Sequence, residues 1–379
     1  MAWSAAVAST VLWATIRAGD DRSRDDRLRT HPLVDGALLV RPCAGAEASL
    51  GRALGSTSAA VRSFPIRVRF ALASREDAAL AEAARAADRL NAEGTDASVV
   101  VSGAIAPNRK ADQLARTLAN ELDPPSIVIV ADSDVDLSGV SLDALVRPLD
   151  DPRVAAAWAA PVEVAPTTIG DRASAAVLDA SLHSFGLLAA LDRNGMVGKL
   201  FAVRRDALEH VGGFGAMVEH LGEDMELARR LRAAGWRTEL AAVLAPSLAA
   251  GRSWSDAAAR YARWIAVIRS QRPQLLVSYP ALLVPTAPLL LASLSAVAFG
   301  GALGWAACGL ALLARIGAAC MARSHAGLPL RASSLVVDAA LSDALLLHAF
   351  VRALASRRTV WRGVELRRGP SGRFREEAR

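Results

Sequence analysis

Cysteine, tyrosine and lysine are scarce in this 379-residue chain: three, two and two residues, the lysines standing only at Lys110 and Lys199 among 44 basic side chains. Cys43, Cys308 and Cys320 make neither an even disulfide framework nor a metal-ligand spacing, so they read as buried thiols in a reduced compartment or as lipid-facing residues. The six histidines form no i,i+4 pair, which argues against a zinc-hydrolase helix. No G-x-x-x-x-G-K-[ST] loop is present, and no G-x-G-x-x-G follows the first expected strand. The chain is therefore neither a P-loop nucleotidase nor a dinucleotide dehydrogenase. A G-x-S-x-G nucleophile elbow is also missing.

What is abundant is apolar surface. Hydrophobic residues make up 53% of the chain and charged residues 22%, which excludes a disordered protein and a small stapled scaffold. The net charge of +6 raises nucleic acid as a partner. The arginines are interspersed with carboxylates, however, until residues 352–379, where they dominate. A basic tail beside a long apolar stretch suits an anionic membrane face, and no nucleic-acid partner is expected.

Between residues 275 and 314 the only ionisable side chains are Tyr279 and Cys308, enough length for about two spans of about 20 residues each. Gly300-Gly301 is the expected turn, and Pro280, Pro285 and Pro288 bend the first part. A buried hairpin of a soluble protein is the alternative. A further helix at 333–351 carries a Ser334, Asp338, Ser342 stripe, which suits neighbouring helices or a cavity if it spans and water if it is interfacial. Residues 1–16 are apolar and are followed by Arg17, Arg22, Arg24, Arg27 and Arg29, which places the sequel in the cytoplasm. No charged region precedes them, so a cleaved signal peptide is not expected. The resulting division is a membrane anchor at 1–18, a catalytic domain at 33–274, membrane helices at 275–355 and a basic cytoplasmic tail at 356–379.

In the middle region, short apolar runs at 37–41, 66–72, 98–101 and 127–131 read as strands. Segments 46–61, 75–90 and 110–122 read as the helices between them. This succession implies an α/β domain with a parallel sheet, whose ligands sit beyond the carboxyl ends of the strands. Asp132-Ser133-Asp134-Val135-Asp136 follows the last of these strands. Two carboxylates two apart on such a turn suit a divalent metal against a diphosphate, although acidic residues also end strands as helix caps, and Ser138 is a candidate cap for the next helix. Gly222-Glu223-Asp224 opens a helix at 224–233, where a carboxylate is favourable on electrostatic grounds alone. Arg260-Tyr261-Ala262-Arg263-Trp264 puts two arginines on one helix face, suited to a diphosphate or to an interfacial belt.

Taken in order, these segments resemble the membrane-bound glycosyltransferases of the GT-A (Rossmann-like) fold, above all ceramide glucosyltransferase and bacterial relatives acting on hopanoids. LLVRPCAG is similar to the first-strand Lys-Pro-x-x-Gly element, with Arg41, Pro42 and Gly45 in place. The segment around Asp77, the TDASVVV…APNRK stretch with Asp96, Asn108 and Lys110, ADSDVDL, GEDMELARRLRAAGW, RYARW and the basic ending follow. The resemblance implies a UDP-sugar donor held by Arg41, Pro42, Asp77, Asp96, Lys110 and Asp132. It implies Mg²⁺ or Mn²⁺ on Asp132 and Asp134, Asp224 as general base, and Arg260, Arg263 and Trp264 closing over diphosphate and sugar. The reaction it implies is inverting transfer of glucose or N-acetylglucosamine to a membrane lipid hydroxyl, at the cytoplasmic face of a bacterial-type inner membrane. A polysaccharide synthase of the same superfamily, or an inactive membrane scaffold of that fold, are the alternatives.

Overall fold

The computed structural model describes residues 36–62, 65–191, 195–273, 276, 298, 301–325 and 334–355, and the short strands within 358–376. In chain order the elements are β1 (Ala37–Pro42), α1 (Leu50–Gly55), α2 (Thr57–Val61), β2 (Ile66–Leu72), α3 (Leu80–Ala92), β3 (Ala97–Val101), α4 (Arg109–Ala119), β4 (Ile127–Ala131) and α5 (Leu142–Val146). Then come β5 (Val154–Val164), α6 (Ile169–Leu191), β6 (Leu200–Arg204), α7 (Arg205–His210), α8 (Glu223–Ala233), β7 (Arg237–Leu248) and α9 (Trp254–Gln271). The last are α10 (Ala302–His325), α11 (Leu335–Ala355), β8 (Arg358–Trp361), β9 (Val364–Arg368) and β10 (Phe374–Glu376). They fall into two compact units. One lies within Leu28–Ala165, Arg193–Ala250 and Arg358–Arg379, the other within Pro166–Asp192 and Gly251–Arg357.

The first unit is built on a seven-stranded sheet of order β3-β2-β1-β4-β6-β5-β7. The expected parallel arrangement holds for β3, β2, β1 and β4. Beyond β4 it fails, because β6 runs antiparallel to both β4 and β5. The sheet is therefore mixed, and the beginning of β6 lies at the same edge as the end of β4, with Ala131 opposite Leu200. β1 and β4 are buried along their whole length, as strands covered on both faces must be. The expected helix at 46–61 is two helices meeting at Ser56, whose hydroxyl donates to the Ala53 carbonyl and accepts the Leu137 N–H. Ser138 does not cap the helix that follows the acidic turn. Its N–H and hydroxyl both donate to Asp136, and Ser141 caps α5 instead.

In the second unit α6, α9 and α11 share an apolar core that includes Ala173, Val177, Tyr261, Ile265, Leu345 and Ala349. Asp171 is fully buried and accepts the backbone N–H groups of Gly251 and Arg252 at 3.0 Å each. Several polar residues of α11 are turned into protein. Asp338 pairs with Arg172 at 2.8 Å, Ser342 is 0% exposed, and His348 Nδ1 accepts from the Trp254 indole at 3.0 Å. Of the Ser334, Asp338, Ser342 stripe, Asp338 meets α6 through Arg172 and Ser342 is buried. Among the described residues no helix is long and apolar enough to cross a membrane. The expected anchor at 1–18 and most of the first expected span of 275–314 lie outside the described residues.

Candidate active site

The acidic turn leaves β4 at the carboxyl edge of the sheet. Its backbone is held from several directions before any side chain is considered. The Asp132 N–H donates to the Lys199 carbonyl at 2.9 Å, the Asp136 N–H to the Pro246 carbonyl at 2.7 Å, and the Leu248 N–H to the Asp134 carbonyl at 2.8 Å. From beneath, the Arg41 guanidinium donates to the carbonyls of Asp132 (2.9 Å) and Val135 (2.6 Å), and to Ala53 O and Thr57 Oγ1 at 2.7 Å each. Such a turn presents its carboxylates in one geometry, as an electrostatic site requires.

Arg41 therefore stands beneath the turn as its support. It is 0% exposed, and burial lowers its pKa to about 10 against the pull of Cys43 and the nearby aspartates. It remains charged at neutral pH, and it donates four hydrogen bonds, two to the turn and two to Ala53 and Thr57 of the helices beside it. Pro42 is likewise buried, at the end of β1. Asp96 stands apart from the acidic turn. It precedes β3, at the amino edge of the sheet, and grips Arg69 with both oxygens at 2.9 and 3.1 Å. That hydrogen-bonded guanidinium holds its carboxyl below the usual range, and Asp77, Lys110 and Asp132 lie at the opposite edge of the sheet.

The carboxyl edge carries Asp77, Lys110, Asp132, Asp134 and Asp224. Asp77 Oδ1 accepts the N–H groups of Gly45 (2.8 Å) and Ala79 (2.9 Å), tying the loop after β1 to the loop after β2. Asn108 caps α4 by accepting the Ala111 N–H, and its amide donates to His220 O at 2.6 Å and Glu223 Oε2 at 3.0 Å. The cap turns Lys110 toward the acidic turn. Its ammonium lies 2.7 Å from Asp132 Oδ1, 2.8 Å from Glu223 Oε1 and 2.8 Å from Gly198 O. Burial works against that charge, and the carboxylates of Asp132 and Glu223 outweigh it, so the pKa is raised.

Glu223 and Asp224 begin α8 side by side. Asp224 is partly buried and accepts the Gly198 N–H on Oδ2 at 2.7 Å and the Met225 N–H on Oδ1 at 2.8 Å. Burial, helped by the Glu223 charge, pushes its pKa up to about 6, against the opposing effect of Lys110 and the two N–H groups. A carboxylate poised there is unprotonated at neutral pH yet basic enough to accept a proton. Gly198 allows the approach: a Cβ at that position would lie 2.9 Å from Asp224 Cβ and 3.0 Å from Oδ2.

Lys199, Gly198 and Glu223 are not among the donor, metal and base residues that the sequence motifs nominate. Lys199 Nζ sits 2.7 and 2.6 Å from the two oxygens of Asp134 and 3.4 Å from Asp132 Oδ2. The available signal was scarcity, since both lysines of the chain converge on one turn. For a divalent metal, Asp132 fits. It is a hard oxygen donor with a side chain 25% exposed, and Mg²⁺ is commonly held by one or two carboxylates together with substrate phosphates. Asp134 fits less well, being 12% exposed with both oxygens on an ammonium. Among the described residues no group of three or more His, Cys, Asp or Glu side chains is arranged to hold a metal.

Arg260, Arg263 and Trp264 belong to the second unit, on α9. Arg260 is buried, its guanidinium 5.1 Å from the Trp264 ring centroid and 3.4 Å from Ser174 Oγ. Arg263 and Trp264 are partly exposed. Tyr261 meets Trp264 edge-on at 5.2 Å and donates to Ser174 O at 2.9 Å.

The model of glycosyl transferase family 21 matches residues 1–373. The chain belongs to this family. It is therefore a glycosyltransferase, and its mixed seven-stranded sheet is the GT-A-like fold expected above. No curated protein sequence matches it. Among solved structures, it is similar to a mannosyltransferase from Pyrobaculum calidifontis in complex with GDP-Man and Mn²⁺. The identity is 18% and the TM-score 0.46, over 93% of this chain and 98% of that one. Another is glucosyl-3-phosphoglycerate synthase from Mycobacterium tuberculosis with Mn²⁺, UDP and glucosyl-3-phosphoglycerate. There the identity is 20% and the TM-score 0.38, over 65% of this chain and 83% of that one.

Proposed function

We propose that this family 21 enzyme transfers glucose or N-acetylglucosamine from a UDP-sugar to the hydroxyl of a membrane lipid, ceramide-like or hopanoid, with inversion. The observation that carries the reading is Asp224, a single raised-pKa carboxylate fixed by two backbone N–H groups at the edge that also bears Lys110 and Asp132. Direct displacement needs one base for the acceptor hydroxyl, and a single carboxylate in that role leads to the β-glycoside. Lys110 neutralises charge growing on the leaving diphosphate. Asp132 is the carboxylate for Mg²⁺ or Mn²⁺, which when bound supplies Lewis-acid stabilisation to that same diphosphate. Asp77 fixes the loop after β1, where the nucleotide is expected. On the resemblance alone, Arg260 and Arg263 are assigned to the diphosphate and Trp264 to the sugar.

The second unit supports a lipid acceptor. It exposes Trp305, Leu310 and Leu313 on α10, and Val336, Val337, Leu347, Val351 and Leu354 on α11, each at least 40% accessible. Leu347, Val351 and Leu354 follow an i, i+4, i+7 pattern and share one helix face. Together with the apolar run at 275–300 and the arginines of the tail, this suits attachment to the cytoplasmic face of a bacterial-type inner membrane.

The test uses the full chain in detergent with Mn²⁺, UDP-glucose or UDP-N-acetylglucosamine, and ceramide or a hopanoid alcohol, reading UDP release and the lipid product by mass spectrometry. Asp224→Asn should lower turnover by roughly 10²-fold or more while UDP binding persists. Full turnover in that variant, or product formation only with water-soluble acceptors, would refute the reading.

A further inference from the structure

We infer that Asp134 is not a ligand of the divalent cation but the anchor of Lys199, whose ammonium is a second fixed positive charge for the donor diphosphate. The inference rests on the nucleotide-sugar reading above and changes the division of labour within the acidic turn. Sheet topology produces the pair. β6 runs against β4, so the residue before β6 falls opposite the residue after β4, and the Asp132 N–H donates to the Lys199 carbonyl at 2.9 Å. With Lys199 held there, its side chain extends between the two aspartates, 2.6 Å from Asp134 and 3.4 Å from Asp132. The opposing carboxylate is also held: the Leu248 N–H is on the Asp134 carbonyl, and Arg41 grips the carbonyls on either side, of Asp132 and Val135.

Exposure supports the same assignment. The side chains of Lys199 and Asp134 are 11% and 12% exposed, whereas Asp132 is 25% exposed. Both carboxylates touch ammonium groups, but Lys199 is 2.7 and 2.6 Å from the oxygens of Asp134 and 3.4 Å from Asp132 Oδ2, so a cation arriving with the nucleotide meets the more exposed Asp132 first. Lysine suits this place. It is a compact point charge with three donors, and two of these on Asp134 leave one for a phosphate oxygen beside Asp132. In a chain whose basic residues are otherwise arginine, both lysines occupy this turn, with Lys110 on the other side of Asp132. The two ammoniums thus flank the carboxylate that fits the metal.

The experiment titrates Mn²⁺ by electron paramagnetic resonance and UDP by calorimetry, on the full chain in detergent, for wild type, Asp132→Asn, Asp134→Asn and Lys199→Met. Asp132→Asn should weaken Mn²⁺ binding in the presence of UDP by about tenfold or more, while Asp134→Asn leaves it within about twofold. Lys199→Met should weaken UDP binding by about tenfold, the loss of one charge-assisted contact. By freeing Asp134, it should also tighten Mn²⁺ binding measured without UDP. Lys199→Met keeps the test open if Asp134→Asn does not fold. Equal loss of Mn²⁺ in Asp132→Asn and Asp134→Asn would overturn the inference, as would unchanged UDP and Mn²⁺ binding in Lys199→Met. A wild-type chain that binds no UDP would overturn the nucleotide-sugar reading itself and this inference with it.

Discussion

Gly198→Ala tests the active-site geometry with one added methyl group. The new Cβ would stand 2.9 Å from Asp224 Cβ, 3.0 Å from Oδ2 and 3.1 Å from Cγ. Ordinary carbon contacts lie near 3.5–4.0 Å, so either the Asp224 carboxylate or the Gly198 backbone must retreat by roughly 0.5–1 Å. Retreat of Asp224 stretches the 2.7 Å hydrogen bond from the Gly198 N–H, and retreat of Gly198 disturbs its carbonyl, which accepts from Lys110 at 2.8 Å. Misplacement of a reacting group by about 1 Å can cost about 10²-fold. The expected loss in kcat is therefore about 10–100-fold, or about 1.4–2.7 kcal/mol in the barrier. Overpacking adds a stability cost of roughly 1–3 kcal/mol. The assay is steady-state UDP release with saturating donor, run in the wild-type and Asp224→Asn backgrounds. If the methyl acts through Asp224, its effect should largely vanish once Asp224 is already asparagine, a coupling the double-mutant cycle measures directly. Turnover within twofold of wild type in Gly198→Ala, or the same loss in both backgrounds, would refute the argument that Gly198 positions the base.

Three further perturbations separate the roles of neighbouring residues. Because Asp224 titrates near 6 and acts unprotonated, kcat/KM should fall as pH drops through about 6, and that limb should be missing from the residual activity of Asp224→Asn. The same shift has a stability sign: the folded state holds this proton more tightly than the unfolded chain, so stability falls as pH rises from about 4 to about 6. Asp224→Asn should then be more stable than wild type at pH 7.5 by about 1–3 kcal/mol, and a destabilised variant would contradict it. Arg41→Met removes a buried charge that serves four oxygen acceptors, and a loss of about 3–5 kcal/mol is expected in urea unfolding; a loss under 1 kcal/mol would show that the turn stands without it. Asp96→Asn touches an ion pair whose aspartate is 59% exposed, so stability should change by less than about 1 kcal/mol and the donor KM by less than twofold. A tenfold rise in that KM would return Asp96 to the nucleotide.

What the sequence made legible follows from how each feature is encoded. β2 and β4 carry the bounds read from their apolar, β-branched runs, because IVIVA has no other favourable use in a globular domain. β5, with VAAAWAAPVEV, is not legible as a strand in the sequence. Alanine is a poor strand former, and a strand buried on both faces shows no alternation. Without β5, β6 and β7 the antiparallel return is not legible, nor is the role of Lys199, whose partners exist only through the β4–β6 register. The acidic residues show the same division between pattern and topology. Asp96 and Asp132 both adjoin apolar strands, and by residue type either could hold a nucleotide. Asp96 precedes its strand and Asp132 follows its own, so in a parallel β3-β2-β1-β4 array they lie at opposite edges. Arg41 is the converse case. Its place at the end of β1 is the correct edge, but its guanidinium turns beneath the acidic turn and is consumed in shaping it. A motif therefore nominates residues by type and order, and strand direction together with burial decides which of them can meet a substrate. That is the reason to expect Lys199, which no motif nominated, to matter more to donor binding than Arg41, Pro42 or Asp96.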